Sequence, residues 1–251
     1  GADGGAFAAV GAGVGGLGGG LQKLGGLAIH AQRRVVGAHR VVAGDGDRGE
    51  DVRSFQPFCQ LLCKISQGGE VVRAVPYDVP IVGFGGKTVN KLRLWSAEPA
   101  TEDFDLDAFN AGDYAKANKF RSDVEAISTI LYPNDAGEHG RILRLKQEYL
   151  FVSAGLQTIL GTYEKDFGPD WEHLGDHVCV HTNDTHPAMS IPELIRLLMK
   201  EGMDFEQSFS IAQRTFSYTN HTVMAEALEK WPLDLLGSVV PAIVDIIRRI
   251  D

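Results

Sequence analysis

Residues 178–198, VCVHTNDTHPAMSIPELIRLL, place a short strand, a polar stretch and the start of a helix in direct succession. The alternating apolar residues at 178–180 predict the strand. Ser190 with Glu193 three positions later forms a capping box, and the apolar face that follows predicts a helix that Gly202 ends. A strand that leads into a capped helix predicts an α/β fold, in which helices cover a sheet.

The flanking sequence predicts further elements of the same class. Residues 71–82 are rich in β-branched residues but contain Pro76 and Pro80, so they predict short strands separated by turns. Residues 114–131 predict either one long helix or two abutting ones. Similar evidence predicts another strand at residues 89–95 and helices at residues 141–165, 205–217, 223–230 and 241–249.

Composition excludes several classes of function. The chain has 251 residues, with 24 basic and 33 acidic residues and a formal net charge of −9. This acidic balance argues against nucleic acid or an anionic membrane as a partner, and no apolar run approaches the ~20 residues that span a bilayer. The three cysteines, Cys59, Cys63 and Cys179, show no paired metal spacing and no disulfide pattern. We therefore expect a cytoplasmic protein in a reducing compartment.

The composition changes near Gly68. Sixteen of the 30 glycines lie in the first 50 residues, and this density costs too much backbone entropy to specify regular structure. The glycines at 13, 15 and 18 match a dinucleotide-binding fingerprint, but the expected strand and acidic residue are absent, which favours a chance match. We expect residues 1–67 to form a Gly/Ala-rich segment that is poorly ordered or mistranslated.

Two polar stretches, residues 183–187 and 218–222, interrupt the apolar elements. The first follows a strand, the position where open α/β sheets bind ligands. An extended backbone there would place Asp184 and His186 on one side. The pair could bind sugar hydroxyls, transfer protons or cap the next helix, and the residues alone favour a turn with a cap. The second stretch contains His221, and its residues alone favour an interhelical turn.

A metal site is not predicted. Histidines recur every four residues at His173, His177 and His181, a spacing that could align them on a helix. Gly175 and the strand pattern at 178–180 argue against a continuous helix through these positions.

Six blocks of sequence occur in a characteristic order between about Gly68 and Asp251. They are PYDVP (76–80), VN with LRLWSA (89–97), LYPND (131–135), LRLKQEY (143–149), NDTHPA with IPEL (183–194), and YTNHTV with EALE and WP (218–232). In these blocks the chain resembles the α-glucan phosphorylases, the family of glycogen, starch and maltodextrin phosphorylase.

The resemblance implies that residues 68–251 form part of the N-terminal lobe of a two-lobed, GT-B-like glycosyltransferase fold. It implies retaining phosphorolysis of an α-1,4-glucan by inorganic phosphate to glucose 1-phosphate, with pyridoxal 5′-phosphate as cofactor, in a homodimer whose interface includes the helix at residues 114–130. In this family the cofactor lysine belongs to the second lobe, which is not in this chain. We therefore expect the isolated chain to be inactive.

The resemblance also implies roles for individual residues. His221 is similar to the catalytic-site histidine that contacts the departing glucosyl unit. Asp184 and His186 are similar to the pair that lines the neighbouring acceptor-sugar position. The gate loop, residues 132–137, supplies three further substrate-binding candidates: Tyr132, Asn134 and Asp135.

Two alternatives to a phosphorylase fragment stay open at this point. The chain could be a glucan-binding module without catalysis. It could also be a hydrolase that uses Asp184, which requires a second carboxylate ~5 to 9.5 Å away. The sequence does not identify that second carboxylate.

Overall fold

A computed structural model describes residues 30–33, 63–67, 70–101, 104–221 and 229–251. Its strands are β1 (His30–Arg33), β2 (Cys63–Gln67), β3 (Glu70–Val82), β4 (Val89–Pro99), β5 (Val178–Asn183) and β6 (Phe216–Thr219). Its α-helices are α1 (Leu106–Asn110), α2 (Tyr114–Ala117), α3 (Lys119–Thr129), α4 (Glu138–Phe167), α5 (Leu174–His177), α6 (Ser190–Lys200), α7 (Phe205–Thr215), α8 (Leu233–Val239) and α9 (Pro241–Ile250). The described part of the chain is thus mixed α/β with small sheets, in agreement with the predicted class.

One sheet is an antiparallel meander in the order β2-β3-β4. Instead of the predicted short strands, β3 is a single strand of 13 residues that pairs with β4 along its whole length. Strand β2 pairs with β3 only as far as Ala74, so no described strand lies on the other side of Pro76 and Pro80. Proline is tolerated there because an edge position needs no donor on its open side.

The second sheet has the order β1-β5-β6 and brings the two polar stretches together. Strands β5 and β6 are parallel, with Asn183 opposite Thr219, while β1 is antiparallel to β5. Since parallel strands end at the same edge, residues 184–187 and 220–221 both leave the sheet at this edge.

Helix α4, 30 residues long, connects the two hydrophobic clusters of the fold. Its first half buries Leu145 and Leu150 against the antiparallel sheet, α3, α8 and α9. Its second half buries Leu156 and Leu160 against α6 and α7. Each fully buried leucine stabilises the fold by roughly 1.5–3 kcal/mol. The beginning of α4 is therefore held firmly beside the edge where β5 and β6 end.

Several helix predictions agree with the structure. The segment 114–131 forms two abutting helices, α2 and α3, and the segment 241–249 forms α9. At the start of α7, Asp204 and Gln207 form a reciprocal capping box, with hydrogen bonds of 2.8 and 3.2 Å. None of the described helices combines the length and the apolar character that crossing a bilayer requires.

The capping box predicted at Ser190 and Glu193 was wrong. Helix α6 begins at Ser190 without a side-chain cap, and Ser190 Oγ is buried with no hydrogen-bond partner among the described residues. The Glu193 carboxylate instead accepts hydrogen bonds from Tyr149 and Ser153 of α4 at 3.0 and 2.6 Å. Tertiary contacts thus outweighed the local capping signal.

Two predicted segments lie partly outside the described residues. Within the Gly/Ala-rich segment, residues 1–67, the structure describes strand β1 and strand β2. Of the predicted helix at residues 223–230, it describes only Glu229 and Lys230, which are not helical.

Candidate functional site

The site lies where β5 and β6 end. Asp184 N donates a hydrogen bond to Thr219 O at 2.9 Å, which extends the parallel pairing by one step. The Asp184 side chain then turns towards the other stretch, where its Oδ1 accepts a hydrogen bond from His221 N at 2.6 Å. The structure therefore brings the two predicted sugar-contact stretches together through one charge-assisted hydrogen bond.

The backbone at Asp184 differs from the prediction. Its φ of 61° lies in the left-handed region, so the extended conformation that we predicted from Asp184 to His186 is wrong. A turn follows, closed by a hydrogen bond from Ala188 N to Thr185 O at 3.0 Å. Aspartate tolerates this conformation better than most residues, and here it allows the carboxylate to reach His221.

The gate loop begins beside His186. Tyr132 has a φ of 53°, and its N–H donates to Gln147 Oε1 at 3.1 Å. Gln147 is buried on α4 and donates in turn to the backbone oxygens of Ile127 and Ile130 at 2.8 and 2.9 Å. The Tyr132 ring meets the His186 ring edge to face, with centroids 5.4 Å apart. An aromatic surface therefore adjoins the polar groups of the site.

The other two gate-loop candidates take different roles. The Asp135 carboxylate lies 3.5 Å from Arg144 Nη1, so it joins the charged part of the site. Asn134 is exposed, and its Oδ1 accepts a hydrogen bond from Ala136 N at 3.0 Å, within the loop itself. The loop backbone packs so closely on α4 that a Cβ at Gly140 would lie 1.8 Å from Asn134 O.

A network of charged side chains, which the sequence analysis did not identify, lies under these residues. Arg144 ion-pairs with Glu229, lies 3.3 Å from Glu148 and stacks 5.2 Å over the Tyr132 ring. Glu229 Oε2 lies 3.2 Å from His186 Nδ1. The Arg144, Glu148 and Glu229 side chains are only 15%, 3% and 9% exposed. We call Arg144, Glu148, His186 and Glu229 the ionic cluster.

The two glutamates of the ionic cluster titrate in opposite directions. Burial, followed by the charge of Glu229, raises the pKa of Glu148 far above its ordinary value. Burial also acts to raise the pKa of Glu229, but the close contact with His186 and the charge of Arg144 hold that pKa below its ordinary value. The raised pKa favours the protonated form of Glu148, and the lowered pKa favours Glu229 as the carboxylate that balances Arg144.

The Tyr132 hydroxyl is also affected by this environment. Burial, opposed by Arg144 and reinforced by the neighbouring carboxylates, raises the pKa of Tyr132 to about 12. The side chain is therefore a neutral hydrogen-bonding group at physiological pH.

The ionic cluster does not have the character of a metal centre. Glu148, His186 and Glu229 each offer a ligand atom within 4.8 Å of the other two. The Arg144 guanidinium already pairs with both carboxylates, and a divalent cation would have to displace it against charge repulsion. The arrangement fits an arginine-centred ion network.

The described site residues do not fit a phosphate-bearing cofactor either. Such a group needs cationic or amide donors, but the charged side chains here are mostly carboxylates, and Arg144 is engaged by them. The lysines in the described ranges include Lys91, which pairs with Asp78, and Lys119, which pairs with Asp123. These residues therefore do not provide a binding site for pyridoxal phosphate.

Carboxylates, an imidazole and a tyrosine ring at the carboxyl edge of parallel strands suit a polar ligand with several hydroxyl groups. The fold and site thus define a mixed α/β protein with a polar, partly aromatic site where two parallel strands end. A family model described as carbohydrate phosphorylase matches residues 56–251. The chain belongs to this family, as its sequence blocks predicted.

Curated relatives agree with this assignment. The α-1,4 glucan phosphorylase L-1 isozyme of Solanum tuberosum, a chloroplastic/amyloplastic form, is 48% identical over 187 residues, which is 73% of this chain and 19% of the relative. α-Glucan phosphorylase 1 of Arabidopsis thaliana is 47% identical over the same shares of each chain. The cytosolic α-glucan phosphorylase 2 of Arabidopsis thaliana is 44% identical over 73% of this chain and 22% of its own length. The chain spans about a fifth of the length of these relatives.

Proposed function

We propose that the chain is part of an α-1,4-glucan phosphorylase and supplies the sugar-binding part of its active site. The observation that carries the proposal is the 2.6 Å hydrogen bond from His221 N to Asp184 Oδ1. It joins the two stretches to which the family resemblance assigns neighbouring glucose units. The family match and the relatives' names support phosphorolysis of an α-glucan. Glucose 1-phosphate as the product and retention of the anomeric configuration are what the family resemblance implies.

In this proposal the protein side chains mainly hold and orient sugar. His221 contacts the glucosyl unit that is transferred, and Asp184 fixes the backbone at His221. His186 and Tyr132 line the acceptor-sugar position, with the tyrosine ring as an apolar face for the sugar. Asp135 and Asn134 belong to the gate loop that closes over the cleft. Preorganised polar groups of this kind stabilise a developing sugar cation better than water does.

The remaining parts of the enzyme are proposals by family. Pyridoxal 5′-phosphate would supply acid–base chemistry through its phosphate group, held by residues other than those of this site. The described residues would form part of the N-terminal lobe of a two-lobed, GT-B-like enzyme that works as a homodimer. The division of the chain near residue 68, into a Gly/Ala-rich segment and part of a phosphorylase lobe, is also a prediction. A cytoplasmic location is also a proposal, since the relatives include both plastid and cytosolic forms.

A glucan-binding module without catalysis is the second candidate. It is favoured by the contents of the site, where hydroxyl-binding carboxylate, imidazole and tyrosine groups lie together and Arg144 is already paired with Glu229. The hydrolase alternative is less well supported because the Asp184 carboxylate is engaged by His221 N, and Glu229 by Arg144.

Calorimetric titration with maltoheptaose tests the proposal. The chain should bind maltoheptaose saturably, and His186→Ala should weaken binding about tenfold, equivalent to about 1.4 kcal/mol. His173→Ala is the matched control, because His173 is exposed and pairs only with Asp170 in a different part of the fold. Absence of binding by the unaltered chain would refute the sugar-binding role. Phosphate-dependent release of glucose 1-phosphate by the chain alone would contradict both the glucan-binding module and the expected inactivity of the isolated chain.

A further inference from the structure

Two buried polar atoms in the ionic cluster face each other. His186 Nδ1 and Glu229 Oε2 are 3.2 Å apart, and neither has a hydrogen-bond partner elsewhere in the described residues. An unsatisfied buried donor or acceptor destabilises the folded state, because it has lost its hydrogen bonds to water. A small rotation of the imidazole ring would align an Nδ1–H with the carboxylate and satisfy both atoms.

The carboxylate itself is held in place. Glu229 Oε1 accepts from Arg144 Nη2, and Oε2 is the oxygen that faces His186 Nδ1. The Glu229 backbone N–H lies 3.5 Å from Thr185 Oγ1, and this contact connects the backbone at Glu229 to the turn that carries His186. Arg144 is itself anchored by Glu148 and by stacking on Tyr132. Rotation of the carboxylate away from His186 would break the pairing with Arg144.

The His186 imidazole also contacts the gate loop. The Tyr132 ring contacts the His186 ring at a centroid distance of 5.4 Å and an interplanar angle of 74°. The imidazole therefore lies between an aromatic ring and a fixed carboxylate. In a neutral histidine, the hydrogen bond made by one ring nitrogen decides which nitrogen carries the proton.

We propose that Glu229 is a positioning residue that holds the proton of His186 on Nδ1 and leaves Nε2 as the acceptor for a sugar hydroxyl. Arg144 positions Glu229 in the same way. The inference rests on the proposed sugar-binding function for its consequence, but the arrangement of the ring proton is a property of the protein alone. A purely structural Glu229, present only to balance Arg144, would leave the histidine tautomer unaffected.

The test is nitrogen-15 NMR of the His186 ring in the full chain, assigned by comparison with His186→Ala. The unaltered protein should show a protonated Nδ1 and an Nε2 with a free lone pair. Glu229→Ala should give a mixture of the two neutral tautomers and weaken maltoheptaose binding about tenfold. Glu229→Gln keeps an acceptor oxygen and should restore most of the Nδ1–H population. Asp234→Asn, an exposed change on α8, is the control and should alter neither readout.

A protonated Nε2 in the unaltered protein, or an unchanged tautomer in Glu229→Ala, would overturn the inference. If the Glu229→Ala chain does not fold, the spectra of the unaltered protein and of Glu229→Gln still show which ring nitrogen of His186 carries the proton. If the unaltered chain shows the expected tautomer but does not bind maltoheptaose, the proposed function fails and the positioning of His186 stands.

Discussion

Replacing Glu148 with glutamine should make the protein more stable at neutral pH. The side chain is 3% exposed and contacts only one full positive charge in the described residues, Arg144, which it shares with Glu229. Burial and the neighbouring carboxylate raise the pKa of Glu148 in the folded protein above the value in the unfolded chain. The folded state therefore binds a proton that the unfolded state has lost at neutral pH.

The sign of the pH dependence follows from this difference. When a group has a higher pKa in the folded protein than in the unfolded chain, its contribution to stability is fully present below the pKa of the unfolded chain. This contribution is lost as pH rises towards and through the pKa of the folded protein. One proton changes the free energy of unfolding by up to about 1.4 kcal/mol per pH unit. Over the two pH units between pH 5.5 and 7.5 the unaltered protein should therefore lose about 3 kcal/mol relative to Glu148→Gln, in which the amide cannot ionise.

Urea denaturation followed by circular dichroism at pH 5.5, 6.5 and 7.5 measures this difference. Glu164→Gln, an exposed substitution of the same type on α4, should follow the unaltered protein at every pH. Parallel pH profiles for Glu148→Gln and the unaltered protein would refute the argument that Glu148 is protonated when folded.

Three other changes test separate parts of the structure. Arg144→Met should lower the free energy of unfolding at pH 7 by roughly 3 kcal/mol, because it leaves the buried Glu229 without its counter-ion. A loss below 0.5 kcal/mol in urea denaturation would contradict the ionic cluster. Gly140→Ala should displace the gate loop, since the new Cβ would lie 1.8 Å from Asn134 O; faster proteolytic cleavage at the loop would show this, and an unchanged rate would contradict it. Asp204→Ala should cost about 1 kcal/mol by removing the α7 cap, and an unchanged melting temperature would count against that cap.

The sequence predicted those features of the fold that depend on neighbouring residues. The capping box of Asp204 and Gln207 is local, since it joins residues three positions apart at the start of the helix predicted at residues 205–217. The pair Ser190 and Glu193 has the same spacing, but Glu193 bonds instead to residues of α4 that are 40 or more positions away. A local pattern carries no information about such a competing partner, so its failure could not be anticipated from spacing alone.

In the candidate site, too, the sequence indicated the local features but not the contacts between distant residues. The residues alone singled out the two polar stretches that contain Asp184 and His221, while the family resemblance implied their roles; the parallel pairing of β5 and β6 brings the two stretches together. Arg144 and Glu229 are 85 positions apart, and no periodic pattern connects them. One local signal was available, since Arg144 and Glu148 are four residues apart and share a helix face. That spacing is common on exposed helices, so it did not indicate a buried network.

The left-handed backbone at Tyr132 and Asp184 limits how this region could be engineered for heat resistance. A non-glycine residue in that conformation costs on the order of 1–3 kcal/mol, and the protein carries this cost at two positions of the candidate site. Glycine would relieve the local cost, but it would remove the Tyr132 ring from His186 or the Asp184 carboxylate from His221, and it would give the unfolded chain more freedom. Selection for heat resistance alone should therefore gain little from glycine at either position, and a variant that carried it would lose one of these two contacts.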